Sequence, residues 1–312
     1  MQTLILHHYP MSPFAEKMRR ILAWKKLAWG SVIIPSIMPK PDVVALTGGY
    51  RKTPILQVGA DIYCDTALIC DVLEHAQPQP ALYPEHAKGL SRTLAQWADT
   101  TLFWASMAHN FNPVGAAQLF PGASADSLKA FADDRSKMRL GAPRMRPSDA
   151  TPAYRSYLRR IASMLDGQDY LLGAQACVAD FAVYHPLWFT RTQTPAMAGV
   201  LDATPAVLHW MDRIAAMQEA PTQEITSTQA LDIACAGMPH PVAHEVFQDE
   251  HAIALGSQVS IAGESFGPEA SEGELVAATR MHYTIRRTDA RAGTVHVHLP
   301  RIGYSLRAVK TA

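Results

Sequence analysis

His8-Tyr9-Pro10-Met11-Ser12-Pro13-Phe14-Ala15-Glu16-Lys17-Met18-Arg19 follows a short apolar run, Leu4-Ile5-Leu6, and opens a segment of helical periodicity. Ser12 is a favoured N-cap residue type. Pro13 then falls at the first helical position, where its missing N–H costs nothing. Phe14, Met18, Ile21 and Leu22 recur at helical spacing, so one face of the helix is apolar. A hydroxyl therefore stands beside unpaired backbone N–H groups and the positive end of a helix dipole, a setting that stabilises an anion such as a thiolate. A plain helix cap accounts for the same residues, and the stretch taken alone favours the cap.

The chain has 312 residues, enough for two or three domains. Hydrophobic residues at 48% and charged residues at 18% give it the means to bury substantial cores. Its 28 basic and 28 acidic residues cancel, so composition does not call for a polyanionic partner. No basic segment leads into an apolar core at the N-terminus, and no apolar run approaches the roughly 20 residues of a membrane helix. Cys64, Cys70, Cys177 and Cys235 are far apart and form no CxxC pair, so buried free thiols are expected and a cytosolic setting with them.

After the first helix, Trp29 to Ile34 reads as a strand and Asp42 to Leu46 as a short helix ended by Gly48-Gly49. Lys52-Thr53-Pro54-Ile55-Leu56-Gln57-Val58 is a strand entered through a proline, and Gly59-Ala60-Asp61 turns it back into Ile62-Tyr63-Cys64. Asp65-Thr66 then starts a helix whose apolar face is Leu68, Ile69, Val72 and Leu73. The order is strand, helix, strand, helix, strand, strand, helix.

That order and three motifs within it resemble the thioredoxin-like domain of the glutathione transferase family. Ser12-Pro13-Phe14 with Lys17 and Arg19 is similar to the tau-class signature, and the omega class carries Cys at the position of Ser12. Thr53-Pro54-Ile55-Leu56 resembles the family's V-P-V-L, in which the proline is cis, and Asp65-Thr66 stands at the place of the usual E-S pair. The resemblance implies glutathione as co-substrate. Thr53 would pair its main chain with the cysteinyl part of the tripeptide, as an added strand does. Thr66 and the helix start would receive a carboxylate, Asp65 the α-ammonium group and Lys52 the glycine carboxylate. Each has a plainer explanation: Asp is a preferred N-cap and Lys52 a solvated loop lysine. The catalytic candidate is Ser12, donating to the thiolate and lowering the thiol pKa, with Tyr9 as the alternative. A hydroxyl at this position argues against mixed-disulfide chemistry.

From Gly89 onward long helical patterns follow, at Leu90–His109, Ala123–Leu140, Pro152–Asp166, Val178–Arg191 and Pro205–Met217, after a Pro-rich linker at Gln77–Pro84. The resemblance extends over them as the family's all-α second domain. Asp169-Tyr170-Leu171-Leu172-Gly173 followed by Val178-Ala179-Asp180-Phe181 is similar to a family segment in which the Asp belongs to a capping box, here with Cys177 at the usual Ser or Thr cap. Asp180 is assigned a structural role. Met11, Trp104, Met107 and Phe111 are the candidates for a substrate pocket between the domains.

Beyond about Pro221 the resemblance stops. Segments at 256–261, 274–277, 282–286, 294–298 and 304–307 alternate as strands do, with turns at Gly263, Gly267, Asp289, Gly293 and Gly303. They predict a small antiparallel sheet or barrel. His282, His296 and His298 invite a metal, but with no third-ligand spacing His296 and His298 read as a solvent-facing pair, and no metal is expected. Arg280, Arg286, Arg287, Arg291, Arg301 and Arg307 make the region locally basic, without a nucleic-acid motif.

The whole reading is α/β plus all-α: a thioredoxin-like glutathione-binding domain over residues 1–80, a helical substrate domain over 85–220 and an appended β-rich domain over 223–312. The expected activity is glutathione transfer to a small hydrophobic electrophile by a cytoplasmic homodimer, with no membrane or nucleic-acid partner. Two other functions stay open: a non-catalytic binding or regulatory protein working through its β domain, and a glutathione-dependent isomerase or reductase.

Overall fold

The computed structural model describes residues 3–139, 142, 145–242, 246–248 and 250–309. Strand β1 (Leu4–His8), helix α1 (Pro13–Trp24), β2 (Trp29–Ile33), α2 (Pro41–Thr47), β3 (Ile55–Val58), β4 (Asp61–Cys64) and α3 (Thr66–Ala76) form a thioredoxin-like unit in the order read from the sequence. The helical part follows as α4 (Lys88–Trp97), α5 (Phe103–Asn110), α6 (Pro113–Leu119), α7 (Ala125–Met138), α8 (Pro147–Met164), α9 (Val178–Trp188) and α10 (Pro205–Ala215). A π-helical turn, Ala98–Leu102, joins α4 to α5. Leu140, the expected end of the helical pattern from Ala123, lies outside the described residues. No helix among the described residues is long and apolar enough to cross a membrane.

The remaining elements are β5 (Thr222–Glu224), α11 (Ser227–Ala236), β6 (Gln258–Gly263), β7 (Ser271–Ala278), β8 (His282–Asp289), β9 (Gly293–Pro300) and β10 (Tyr304–Ala308). The C-terminal strands are antiparallel, as expected, and they make an open sheet, not a barrel. That sheet is joined to the first: β9 lies parallel to β4, with Asp61 opposite His296 and Tyr63 opposite His298. A single ten-stranded sheet results, in the order β10-β6-β7-β8-β9-β4-β3-β1-β2-β5. Pairing with β9 removes the free edge that β4 would otherwise present.

Strand alternation divides the core in two. Leu4, Leu6 and Leu56 face α1, α3 and the helical part in one cluster, which also holds Met18, Phe181 and Trp210. Ile5, Ile55, Ile62 and Cys64 face the other side, together with Val259, Ile261, Leu275, Ile285, Val295, Val297, Leu299 and Leu306 of the extension. Helices α2 and α11 pack on this second face. Full burial of such a side chain contributes about 1.5–3 kcal/mol. The extension supplies eight such side chains to this shared core. The division at 223 marks a change of sequence character, and the core runs across it.

α11 falls in a region read only as strands. Its N-terminus carries a capping box in which Thr226 Oγ1 accepts from the Gln229 N–H and Gln229 Oε1 accepts from the Thr226 N–H. His296 and His298 are buried, not solvent-facing: β9 lies between β8 and β4 instead of at an edge. Of the arginines, Arg286 pairs with Glu274 and Arg301 with Glu250 inside the extension, while Arg291 reaches Asp42 of α2. Cys64, Cys70 and Cys177 are buried free thiols as expected, whereas Cys235 is exposed.

Candidate functional site

Ser12 has extended backbone angles and its Oγ accepts from the Ala15 N–H at 3.2 Å, so it caps α1. The side chain is buried, and its own proton remains available to a second acceptor. Tyr9 packs on the opposite core, with its hydroxyl accepting from Arg135 Nη2 at 3.4 Å and Lys40 over its ring at 5.7 Å. The Thr53–Pro54 bond is cis, and Thr53 leads into β3. Thr53 Oγ1 accepts from Lys40 Nζ at 3.2 Å.

Asp65 takes φ +75° and caps α3 by accepting from the Ala67 N–H at 3.0 Å. Thr66 begins the helix, and its hydroxyl accepts from Lys17 Nζ at 3.2 Å. Lys17 is buried and paired with Asp99 at 2.6 Å, and Asp99 also meets His185 Nε2 at 3.0 Å. Burial works against the Asp99 anion, but Lys17 and then His185 outweigh it and hold the carboxyl below its usual range. This line of charges ties α1 to the π-helical turn and α9, beside a ring cluster of Phe14, Phe103 and His185.

The extension closes over the other end of these residues. Tyr304 of β10 donates its hydroxyl to Asp65 Oδ2 at 2.7 Å. Burial, reinforced by the neighbouring Asp65 charge, pushes the Tyr304 phenol well above its ordinary pKa, so it stays a donor. Lys52 Nζ lies 4.4 Å from the centre of the Tyr304 ring and 3.9 Å from Asp65 Oδ2. Desolvation lowers the Lys52 pKa, opposed by the Asp65 charge. The segment from Gly263 to Ser271 then runs along residues 49–52. Arg51 holds Glu269 at 2.6 Å, and a Cβ at Gly49 would sit only 1.9 Å from the Ala270 carbonyl oxygen. Phe266 reaches Trp104 at 5.1 Å, and the Gly267 N–H donates to the Met138 carbonyl at 2.8 Å. One loop thus bridges the thioredoxin-like and helical parts.

Ser12, Thr53, Pro54, Asp65 and Thr66 are all found at helix or strand entries of the thioredoxin-like unit, and Lys52 joins Asp65. The four pocket candidates are scattered by comparison. Trp104 faces Phe266 and Arg139, Met107 fills a cluster with Leu119 and Phe189, Phe111 stacks near Phe131 and Phe189, and Met11 is exposed. Lys40 was not foreseen. It is buried beside Thr53 and Tyr9, and desolvation, then Arg135 and Arg51, bring its pKa down to about 8. Among the described residues it has no carboxylate within 4.0 Å. Its position between Pro39 and Pro41 gave only the look of a loop cation.

Comparison with known proteins agrees with the two-part fold. The family model for the glutathione S-transferase N-terminal domain matches residues 6–81, and that for the C-terminal domain matches residues 143–217. A solved GST-like protein from Pseudomonas syringae is 41% identical, with 99% of this chain and 100% of that one covered and a TM-score of 0.81. This chain belongs to the glutathione S-transferase family. As a family member it carries an additional C-terminal antiparallel sheet, and the Pseudomonas protein matches it over that part as well. A tau-class glutathione S-transferase from mango (Mangifera indica) shares the fold at 16% identity and a TM-score of 0.50, over 70% of this chain and 93% of the other. Among curated proteins, FtsZ-localized protein A of Caulobacter vibrioides is 24% identical over 182 residues, 57% of this chain and 72% of that protein.

Proposed function

We propose that this glutathione S-transferase family member is a non-conjugating binding or regulatory protein that works through its extended sheet. The observation that carries this reading is the Tyr304 hydroxyl on Asp65 Oδ2 at 2.7 Å. It occupies the carboxylate that the family resemblance assigns to the ligand's α-ammonium group, with Lys52 packed on the same ring. A tripeptide would have to displace a buried tyrosine and an ammonium group to reach Asp65. The outer face of the extension offers an open polar groove of about 640 Å³, lined by Glu272, Glu274, Arg286 and Thr288 among others. A homodimer is the expected assembly, to be checked by light scattering.

Glutathione transfer to a small hydrophobic electrophile is the second reading. It is favoured by Ser12 at the start of α1 and by Lys40, a buried cation beside Thr53 with no carboxylate within 4.0 Å among the described residues. Calorimetry with millimolar glutathione, together with a conjugation assay on a generic electrophile, separates the two. The first reading expects neither heat nor conjugation. Conjugation that falls about a hundredfold or more in Ser12→Ala, the loss expected when a positioned donor is removed, would overturn it in favour of the second.

A further inference from the structure

Away from the glutathione-type site, imidazoles and a carboxylate converge where β9 joins β4. The parallel register sets Asp61 opposite His296, and the two-residue period of a strand brings His298 to the same face. Asp61 is fully buried. Its Oδ1 lies 2.9 Å from His298 Nε2 and 3.8 Å from His296 Nδ1. Its Oδ2 accepts the His240 N–H at 2.9 Å and lies 2.6 Å from His240 Nδ1. One donor atom each from Asp61, His296 and His298 falls within a 4.8 Å span.

Hydrogen bonding alone does not complete this cluster. His296 Nδ1 is buried and has no hydrogen-bond partner, on a residue only 8% exposed. A buried polar atom left in that state costs free energy whichever tautomer the ring adopts. His298, in contrast, is firmly oriented: its Nδ1 lies 2.9 Å from Thr284 Oγ1 and its ring stacks on Tyr63 at 4.4 Å. A histidine whose far nitrogen is fixed by a hydroxyl, so that Nε2 is aimed at a charged site, is the arrangement found behind metal ligands.

We propose that Asp61, His296 and His298 bind a divalent transition-metal ion of the zinc class, with His240 held on the outer carboxylate oxygen of Asp61. Two imidazoles and one carboxylate are a donor set that zinc takes in tetrahedral geometry, with water in the fourth position. Ligand atoms at about 2.0–2.1 Å from the metal stand roughly 3.3 Å apart. The observed 2.9 and 3.8 Å lie on either side of that value. The lone pair of His296 Nδ1 gains a partner, and Asp61 Oδ2 keeps the His240 N–H. The three ligands come from β4 and β9, so the ion ties the extension to the thioredoxin-like unit.

The test uses the full, untagged chain. Elemental analysis after gel filtration is expected to find one zinc per chain. Protein stripped with a chelator is expected to melt several degrees lower, recover on adding zinc chloride, and show the visible bands of tetrahedral cobalt(II) when cobalt is supplied instead. His240→Ala alters an exposed side chain and leaves the buried strands intact. It is expected to weaken zinc at least roughly tenfold, with His298→Gln losing it. Absence of metal in the purified protein together with no rise in melting temperature on adding zinc overturns the proposal. Unchanged affinity in His240→Ala overturns the site as drawn.

Discussion

Tyr304 and Asp65, 239 positions apart in the chain, share a 2.7 Å hydrogen bond between β10 and the start of α3. The donor is buried and the acceptor is a carboxylate, the combination in which a hydrogen bond contributes about 1.5–3 kcal/mol. Tyr304→Phe keeps the ring under Lys52 and removes only that bond. Its unfolding free energy in urea at neutral pH is expected to fall by about that amount. A loss within experimental error would mean that the hydroxyl gains nothing from Asp65.

Lys17 and Asp99 form a buried pair at 2.6 Å, and removing one partner leaves the other charge uncompensated. Asp99→Asn is expected to cost about 3–5 kcal/mol, and Lys17→Met combined with Asp99→Asn to cost less than the single change. Denaturant unfolding of the two single variants and the double variant checks the order. The fold depresses the Asp99 carboxyl, so its contribution is complete above the unfolded carboxylate value near ~3.9 and disappears as pH falls through the lower folded one.

His7 is buried against Gln57, its Nε2 2.8 Å from Gln57 Oε1, and burial lowers its pKa from 6.5 to about 4. Between those values the unfolded chain takes up a proton that the folded chain refuses. Stability therefore falls as pH drops from 6.5 toward 4, by about 3 kcal/mol from this residue at about 1.36 kcal/mol per pKa unit. His7→Gln keeps a hydrogen-bonding side chain and cannot titrate. Its stability is expected to decline less over that range, by the same amount, when unfolding is followed at several pH values.

Asp180 accepts from the N–H groups of Leu171 and Cys177 and from Trp210 Nε1, all near 2.9–3.0 Å, and so carries much of the start of α9. Cys177 is a poor N-cap residue in an extended N-cap conformation. Cys177→Ser is close in size and supplies a favoured acceptor. It is expected to raise stability by about 0.5–1 kcal/mol, seen as a higher thermal midpoint.

How far the chain could be read without coordinates depended on the distance over which each feature is encoded. Ser12-Pro13, Pro54 and Asp65-Thr66 are local signals for turns and helix starts, and each lies at such a start. The Thr226-to-Gln229 capping box is equally local and starts α11, well ahead of the strand-like segments that begin at 256. Nothing local specifies that β9 pairs with β4, so the spacing of His296 and His298 reads as a solvent-facing pair and Tyr304 as one more strand residue. Lys40 and the Lys17–Asp99–His185 line become visible only once segments far apart in sequence are packed together.

The parallel seam between β4 and β9 also has a meaning for how the molecule is made. A nascent chain that has emerged through residue 220 has every element of the thioredoxin-like and helical parts, yet β4 has a bare outer edge and α2 covers half of an absent core. Unpaired edges recruit neighbouring chains, so this intermediate is the sticky one, on polysomes most of all. Residues 293–300 are the part of the chain that seals this edge, and they come last but one among its strands.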